Sequence, residues 1–139
     1  MIVLDTNIVL DLLVFDDPAT PALQAALARR ELQWIATPAM REELARVLAY
    51  PHIAARLAYD QLGAAEVLAA FDRQVQIVDT APRGSCICKD PDDQKFIDLA
   101  VAHRARLLSK DHAVLRLRKR LLPLGVHTAR ALEAPAELI

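Results

Sequence analysis

The sequence predicts an α/β fold, a three-layer α/β/α sandwich built on a central parallel sheet of about five strands. Short apolar runs rich in β-branched residues recur along the chain, as expected of strands buried on both faces. Segments with residues typical of helix starts and ends separate these runs. We therefore expect each strand to be followed by a crossover helix. With 139 residues, the chain can bury a core without a disulfide or a structural metal. We therefore expect a single domain over residues 1–139.

The predicted strands are short and apolar. The first is IVL, which ends at Asp5, and its composition is typical of a fully buried strand. Strands are predicted at residues 2–4, 33–36, 75–78, 107–109 and around Val126. Residues 80–92 contain Pro82, Gly84 and Pro91 and are predicted to form a loop.

Proline and hydroxyl residues mark where helices begin and end. Thr37 offers a hydroxyl N-cap, and Pro38 fills the first helical position, where its missing N–H would have had no partner in any case. Pro51 disfavours continuation of that helix. Helices are predicted from residue 6 through 13, from about residue 21, over 38–50, in two pieces over 52–73 that meet near Asp60, over 93–103, and in a short basic stretch before the last strand.

Acidic residues lie either just after predicted strands or within predicted helices. The four that matter most are Asp5, Glu43, Asp93 and Asp111. The carboxyl ends of parallel strands share one edge of the sheet with the N-termini of the following helices, so residues far apart in sequence can meet there. Carboxylates that meet repel each other unless a cation neutralises them, and a hard divalent metal is the usual one. A single such acid is more often a helix cap, but four in this order favour a metal site.

Helical periodicity separates the candidate ligands from neighbouring acids. At ~100° per residue, Glu43 lies at the border of the apolar face of its helix, whereas Glu42 falls among solvent-facing positions. Asp93 shares a stripe with Phe96 and the apolar residues one and two turns on. Asp98 lies ~140° away from that stripe and is predicted to face water.

The segment from residue 103 to 120 is strongly basic, and Asp111 is its only acid. Such a run is either a solvated face or, beside an acidic metal site, a surface that holds a nucleic-acid backbone. Leucines interleaved with the cations need burial, so the sequence leaves both interpretations open. The candidates for substrate contact are Arg104, Lys110, Arg116 and Arg118.

Cysteine content and hydropathy limit the class of protein. Cys86 and Cys88 are the only cysteines, and a C-x-C pair lacks the second half of a zinc site, so two loop thiols are predicted. No run approaches the ~20 apolar residues of a membrane span. The opening MIVLDTN carries no basic n-region, so we expect no signal peptide and a cytoplasmic location.

Four motifs give the chain a resemblance to the PIN-domain nucleases over essentially its full length: MIVLDTN, REELARVL, CKDPDDQKFIDLA and LLSKD. The chain looks most similar to the subgroup described as toxins of toxin–antitoxin pairs. The resemblance implies that the metal-site acids are Asp5, Glu43, Asp93 and Asp111. It also implies supporting roles for Asn7, for Ser109 and for the further acid Asp90. Asn7 would hydrogen-bond the Asp5 carboxylate or hold a ligand water.

The activity that the resemblance implies is hydrolysis of RNA phosphodiester bonds with one or two Mg²⁺ or Mn²⁺ ions. The implied partners are an RNA substrate, a protein antitoxin and a second copy of the chain in a homodimer, with no membrane. Lys110 departs from the family pattern, because a small residue often stands before the last acid. A cation there would contact phosphate or neutralise part of the acidic cluster.

Other functions fit the sequence less well. A catalytically weak or inactive PIN-fold module that binds nucleic acid or another protein is the main alternative. A phosphoryl-transfer receiver domain could use Asp79, but two helices between the first strands fit it poorly. Phosphatases of the haloacid-dehalogenase type need D-x-D after the first strand, where this chain has DTN. The chain also lacks a P-loop motif.

Overall fold

The fold is built on one parallel five-stranded sheet. The computed structural model describes residues 1–132, so the predicted domain boundary at residue 139 lies outside the described residues. The strands are Ile2–Leu4 (β1), Trp34–Ala36 (β2), Val75–Ile77 (β3), Arg106–Leu108 (β4) and Thr128–Ala129 (β5). Their order across the sheet is β3-β2-β1-β4-β5, and every neighbouring pair is parallel. The predicted parallel sheet is confirmed.

Helices flank this sheet and complete the predicted three-layer α/β/α sandwich. They are Thr6–Leu10 (α1, continued by a π-helical turn Asp11–Phe15), Pro21–Ala28 (α2), Pro38–Leu48 (α3), Pro51–Tyr59 (α4), Ala64–Gln74 (α5), Gln94–His103 (α6), His112–Leu115 (α7) and Arg118–Leu121 (α8), with 3₁₀ turns at Pro91–Asp93 and Leu122–Leu124. Among the described helices, none combines the length and the apolar character that crossing a bilayer would take.

The core lies around the central strands. Ile2 and Val3 of β1 are completely buried, as expected of a strand covered on both faces. Trp34 of β2 packs edge-to-face on Phe71 of α5, with the ring centres 5.2 Å apart. The third strand is different: Ile77 is 45% exposed, because β3 is the edge of the sheet and has one strand neighbour.

Chain connectivity places a reversal of direction beside β1. The chain builds β1, β2 and β3 outward on one side and then returns to add β4 and β5 on the other. Strands β1 and β4 are neighbours, with Leu4 opposite Leu108, and the N–H of Asp5 donates to the Leu108 carbonyl at 3.0 Å. Ligands of open α/β sheets bind outside the carboxyl ends of the strands where the strand order reverses. Residues 5 and 109–111 stand at this position.

Some predicted boundaries differ from the structure. The last strand is Thr128–Ala129 rather than a segment around Val126. Val126 instead donates its N–H to the Leu121 carbonyl, in a turn where Gly125 has φ 86°, so the strand starts only after that turn. The helix predicted over 93–103 begins as a 3₁₀ turn at Pro91–Asp93 and becomes α-helical at Gln94.

Candidate metal centre

Asp5 and Asp111 follow the two adjacent strands at the reversal, and one hydroxyl links them. Ser109 is completely buried; its Oγ donates to Asp5 Oδ2 at 2.6 Å and accepts from the Asp111 N–H at 3.0 Å. The carbonyl of Asp5 starts α1 by accepting from the N–H groups of residues 8 and 9. Burial raises the pKa of the Asp5 carboxyl, and the Ser109 hydrogen bond opposes that rise. The nearby charges of Glu43 and Asp111 raise this pKa further.

Asp93 is the most electrostatically perturbed acid. Its side chain is 7% exposed, and its Oδ2 is buried with no hydrogen-bond partner among residues 1–132. Burial, followed by the adjacent Asp111 carboxyl, raises the pKa of Asp93 from its ordinary 3.8 to about 8. The charges of Asp5, Asp111 and Asp90 act in the same direction. A buried carboxylate oxygen without a partner, facing other carboxylates, is a position that a cation would stabilise.

Three carboxylates are close enough to share one ion. Asp90, Asp93 and Asp111 each offer an oxygen, and these oxygens lie within 4.8 Å of one another. Asp90 and Asp111 each use Oδ1 to cap the chain that follows them, accepting from the N–H groups of residues 92 and 113. These two hydrogen bonds leave Oδ2 of each residue unused by the caps. An all-oxygen donor set with a buried unpaired oxygen fits a hard divalent ion such as Mg²⁺ or Mn²⁺.

The composition of this group differs from the set predicted from the sequence. Asp90, which the sequence ranked only as supporting, is a member, whereas Asp5 and Glu43 lie beside the group. Their charges still reach it, because Asp5 interacts with Glu43 and Asp111 and also with Asp93. In the part of the chain that the structure describes, no cysteine or histidine belongs to such a group.

Glu43 is held by two residues that the sequence analysis missed. Its Oε1 accepts from Lys95 Nζ at 2.8 Å, and its Oε2 accepts from Thr6 Oγ1. Glu43 is half-buried on α3 while Glu42 is exposed, as helical periodicity predicted. The signal for Lys95 was present in the motif DPDDQKF, where a cation follows three acids within five residues. A lysine ammonium can neutralise part of a carboxylate cluster, as a metal ion can.

Two residues near the site, Asn7 and Lys110, make contacts that differ from a predicted one. Asn7 Oδ1 accepts from the backbone N–H of Lys110 at 3.3 Å, so it braces the loop after β4 instead of contacting the Asp5 carboxylate. Lys110 Nζ pairs with Asp11 Oδ2 at 2.6 Å, so its charge neutralises Asp11 and not the acidic group. The roles of Asn7 in holding a ligand water and of Lys110 in contacting phosphate stay predictions. Both observed contacts arise because α1 and its π-helical continuation lie against the loop after β4.

The basic segment divides between the two ends of the fold. Arg104 ends α6 with φ 50°, and the ten residues of that helix put it about 15 Å along the axis from the end that carries Asp93. It therefore lies away from the acids. Arg116 and Arg118 are exposed and line an open groove together with His112, Leu115 and Lys119. That groove follows Asp111 directly in the chain.

The loop that carries Asp90 is fastened to α6 by two buried polar side chains. Gln94 accepts from the Cys88 N–H at 2.7 Å and donates to the Cys86 carbonyl at 2.9 Å. Asp98 Oδ1 accepts from Gln94 Nε2 at 2.8 Å and from the Gly84 N–H at 3.0 Å. The prediction that Asp98 faces water is wrong, because the loop folds back over this face of α6 and leaves Asp98 8% exposed.

The two thiols lie on this loop and are unpaired with each other. Cys86 and Cys88 are free and buried, and the Cys88 thiol donates to the Ala113 carbonyl at 3.5 Å. Burial raises the pKa of both thiols. Buried protonated thiols are poor metal ligands and nucleophiles, which agrees with the predicted loop role.

Comparison with known proteins gives one match. The family model described as a PIN domain matches residues 1–113, a range that includes β1 to β4 and every acid described above. No curated protein and no solved structure matches the chain.

Proposed function

The chain belongs to the PIN domain family, and from this premise we propose that it is a metal-dependent endoribonuclease that hydrolyses RNA phosphodiester bonds. Proteins of this family are generally nucleases. The observation that carries the proposal is the group Asp90, Asp93 and Asp111. One oxygen of each lies within 4.8 Å of the others, and Oδ2 of the buried Asp93 has no hydrogen-bond partner among residues 1–132. Three carboxylates this close repel one another, and a divalent cation bound between them would remove that repulsion.

Residues of the chain have distinct roles in this proposal. Asp90, Asp93 and Asp111 would hold Mg²⁺ or Mn²⁺, and Asp5, fixed by Ser109, would supply further negative charge beside them. When bound, such an ion lowers the pKa of water and neutralises charge on the phosphate that reacts. Burial of Asp93 and Ser109 keeps bulk water from the inner side of the group, so its electrostatic effect is screened less than at the surface.

Substrate binding is assigned to the groove that follows Asp111. Arg116, Arg118 and Lys119 place cationic groups along it, and phosphate contacts of this kind give affinity without sequence information. Lys110 is a weaker candidate because it is paired with Asp11. We propose RNA as the substrate because the sequence motifs resemble those of PIN-domain ribonucleases.

The wider biological role also belongs to the proposal. We infer that the protein is the toxin of a toxin–antitoxin pair, that its partner is a protein antitoxin, and that it acts as a cytoplasmic homodimer of a single domain over residues 1–139. The toxin role, the antitoxin partner and the homodimer rest on the resemblance of the four motifs to that subgroup.

A second candidate function is a PIN-fold module that binds nucleic acid or protein without cleavage. One observation favours it: the ammonium of Lys95 already neutralises Glu43, an acid that the family resemblance assigns to the metal site. The receiver-domain alternative loses support, because Asp79 is exposed and follows the edge strand β3.

Cleavage of RNA by the full chain tests the proposal. Purified protein with Mn²⁺ or Mg²⁺ is expected to cut single-stranded RNA, and EDTA is expected to stop the reaction. Asp93→Asn should reduce the rate at least about 100-fold, as expected when a metal ligand is lost. Asp92→Asn is the matched control, since Asp92 is the exposed neighbour and should keep nearly full activity. A folded, metal-binding protein that leaves every RNA and DNA intact would favour the binding module.

A further inference from the structure

Glu43 and Lys95 form an ion pair beside the three-carboxylate group. Glu43 lies outside the group whose oxygens can share one ion, and both of its own oxygens are engaged. Lys95 Nζ donates to Oε1 at 2.8 Å, and the hydroxyl of Thr6 donates to Oε2. A metal ion could use this carboxylate only by displacing the ammonium or the hydroxyl.

The position of the ammonium is defined by more than this ion pair. Lys95 Nζ also donates to the Asp92 carbonyl at 2.6 Å and lies 5.0 Å from the centre of the Phe96 ring. The side chains of Lys95 and Glu43 are 26% and 16% exposed. By contrast, the Arg41–Asp72 side chains are 40% and 45% exposed. A partly desolvated pair is screened less by solvent and is correspondingly harder to separate.

Charge along the site is therefore divided into two parts. On one side, Asp90, Asp93 and Asp111 lack a cationic partner among the described residues. On the other side, Lys95 neutralises Glu43. Asp5 is close enough to both Glu43 and Asp111 to feel their charges. The protein supplies one fixed positive charge at one end and leaves the other end to an ion.

We propose that the Lys95 ammonium occupies the place of a second metal ion, so that the chain binds a single divalent ion at Asp90, Asp93 and Asp111. This inference rests on the proposed function, because it specifies the ion content of that site. Lys95 is a positioning residue in this scheme: it holds Glu43 against Thr6 and prevents an ion from bridging Glu43 and Asp5.

Counting bound ions tests the inference directly. Mn²⁺ is titrated into the metal-free full chain, with binding followed by calorimetry and by the electron paramagnetic resonance signal of unbound Mn²⁺. The wild type is expected to bind one ion per chain. Lys95→Met, which keeps an apolar stem against Phe96 and removes the charge, is expected to bind two, and Lys95→Gln should do the same if the methionine variant folds poorly. Lys95→Arg keeps a cation and should bind one.

Arg41→Gln is the matched control for net charge. It removes one positive charge from α3, the helix that carries Glu43, but breaks only the surface pair with Asp72, so it should still bind one ion. Two ions in the wild type, or one ion in a folded Lys95→Met or Lys95→Gln variant, would overturn the inference while leaving metal-dependent cleavage intact. No ion in the wild type would overturn the proposed metal centre itself.

Discussion

Among single residues, Asp93 bears the strongest conflict between burial and charge. Its carboxyl is buried, faces Asp5, Asp90 and Asp111, and has a pKa raised from 3.8 to about 8. Because this pKa is higher in the folded than in the unfolded chain, folding favours the protonated form. The resulting stabilisation is complete below about pH 4 and is lost as the pH rises through about 8. The metal-free protein therefore carries its greatest electrostatic penalty under the alkaline conditions that favour metal binding.

Removing this charge should stabilise the metal-free protein. Asp93→Asn is expected to raise the melting temperature in EDTA at pH 8 by roughly 5 °C or more, since the relieved penalty is on the order of a few kcal/mol. At pH 4 the gain should disappear, because wild-type Asp93 is then largely protonated. Thermal denaturation followed by circular dichroism between pH 4 and 8 measures both effects.

Asp92→Asn serves as the control for this comparison. It removes the same charge from the adjacent, exposed position, and its melting temperature should follow the wild-type curve to within about 1 °C, as expected of a surface substitution. A lower melting temperature for Asp93→Asn than for the wild type at pH 8 would contradict the assigned penalty.

Individual site residues could be predicted from the sequence to different degrees. Asp5 and Asp111 were recognisable because Asp5 follows an apolar run directly and Asp111 follows one within three residues. The carboxyl ends of parallel strands share one edge of the sheet, so such residues can meet. Asp90 was underrated, since its place depends on how the loop before α6 folds. Glu43 is bound by Lys95 and Thr6, which lie 52 and 37 residues away from it in the chain. Contacts over such separations leave no periodic trace in the sequence.

Among the elements, the junction of the 84–90 loop with α6 determines where Asp90 lies. Gln94 makes two hydrogen bonds to the loop backbone and a third to Asp98. These bonds satisfy buried backbone groups that have no strand beside them. The side chain of Gln94 thus makes the hydrogen bonds that a neighbouring strand would otherwise make, and the junction sets the distance from Asp90 to Asp93 and Asp111.

Loss of this junction should weaken both stability and metal binding. Gln94→Met keeps the volume but leaves the Cys88 N–H and the Cys86 carbonyl without their partner, at a cost of about 2–4 kcal/mol. The melting temperature should fall by roughly 5–15 °C. Mn²⁺ affinity should drop at least several-fold, because Asp90 is no longer held. Thermal denaturation and Mn²⁺ titration measure the two effects.

Gln74→Met offers a matched comparison on α5. Gln74 is exposed, and its side chain donates only to the carbonyl of Ala70 in its own helix, so this change should be nearly neutral. A Gln94→Met protein with wild-type stability and Mn²⁺ affinity would show that the loop holds Asp90 without the glutamine.

Element positions were more predictable than element contacts. The apolar runs located the strands to within one or two residues, and Thr37-Pro38 located the start of α3, because these signals are local. The orientation of Asp98 was mispredicted for a non-local reason: periodicity assigns a face, but only the returning loop decides that this face is covered.

For the whole molecule, the reversal of strand order explains why a site forms at all. Strands β1 and β4 are far apart in sequence and adjacent in the sheet, so their carboxyl ends bring Asp5 beside Ser109 and Asp111. The alternation of strands and helices predicted the parallel sheet but not the order of its strands. Strand order depends on which apolar faces pack together, and several orders satisfy the same alternation.

The same arrangement makes folding stability depend on metal and on pH together. An ion that binds only the folded chain stabilises it by about 2.7 kcal/mol at a hundred times its dissociation constant. Binding requires Asp93 to be ionised, and its pKa of about 8 means that protons compete with the ion throughout the neutral range. A fixed Mn²⁺ concentration should therefore raise the melting temperature several degrees more at pH 8 than at pH 6.

Differential scanning fluorimetry with and without Mn²⁺ at the two pH values measures this linkage, with NaCl of equal ionic strength as the control for screening. Asp111→Asn should lose most of the Mn²⁺-dependent increase at both pH values, because it removes a ligand from the group of three. Asp72→Asn, which alters only the surface pair with Arg41, should retain the increase. An equal Mn²⁺ effect at pH 6 and pH 8 in the wild type would mean that ion binding does not displace a proton from Asp93, and the stabilising ion would then have to lie elsewhere.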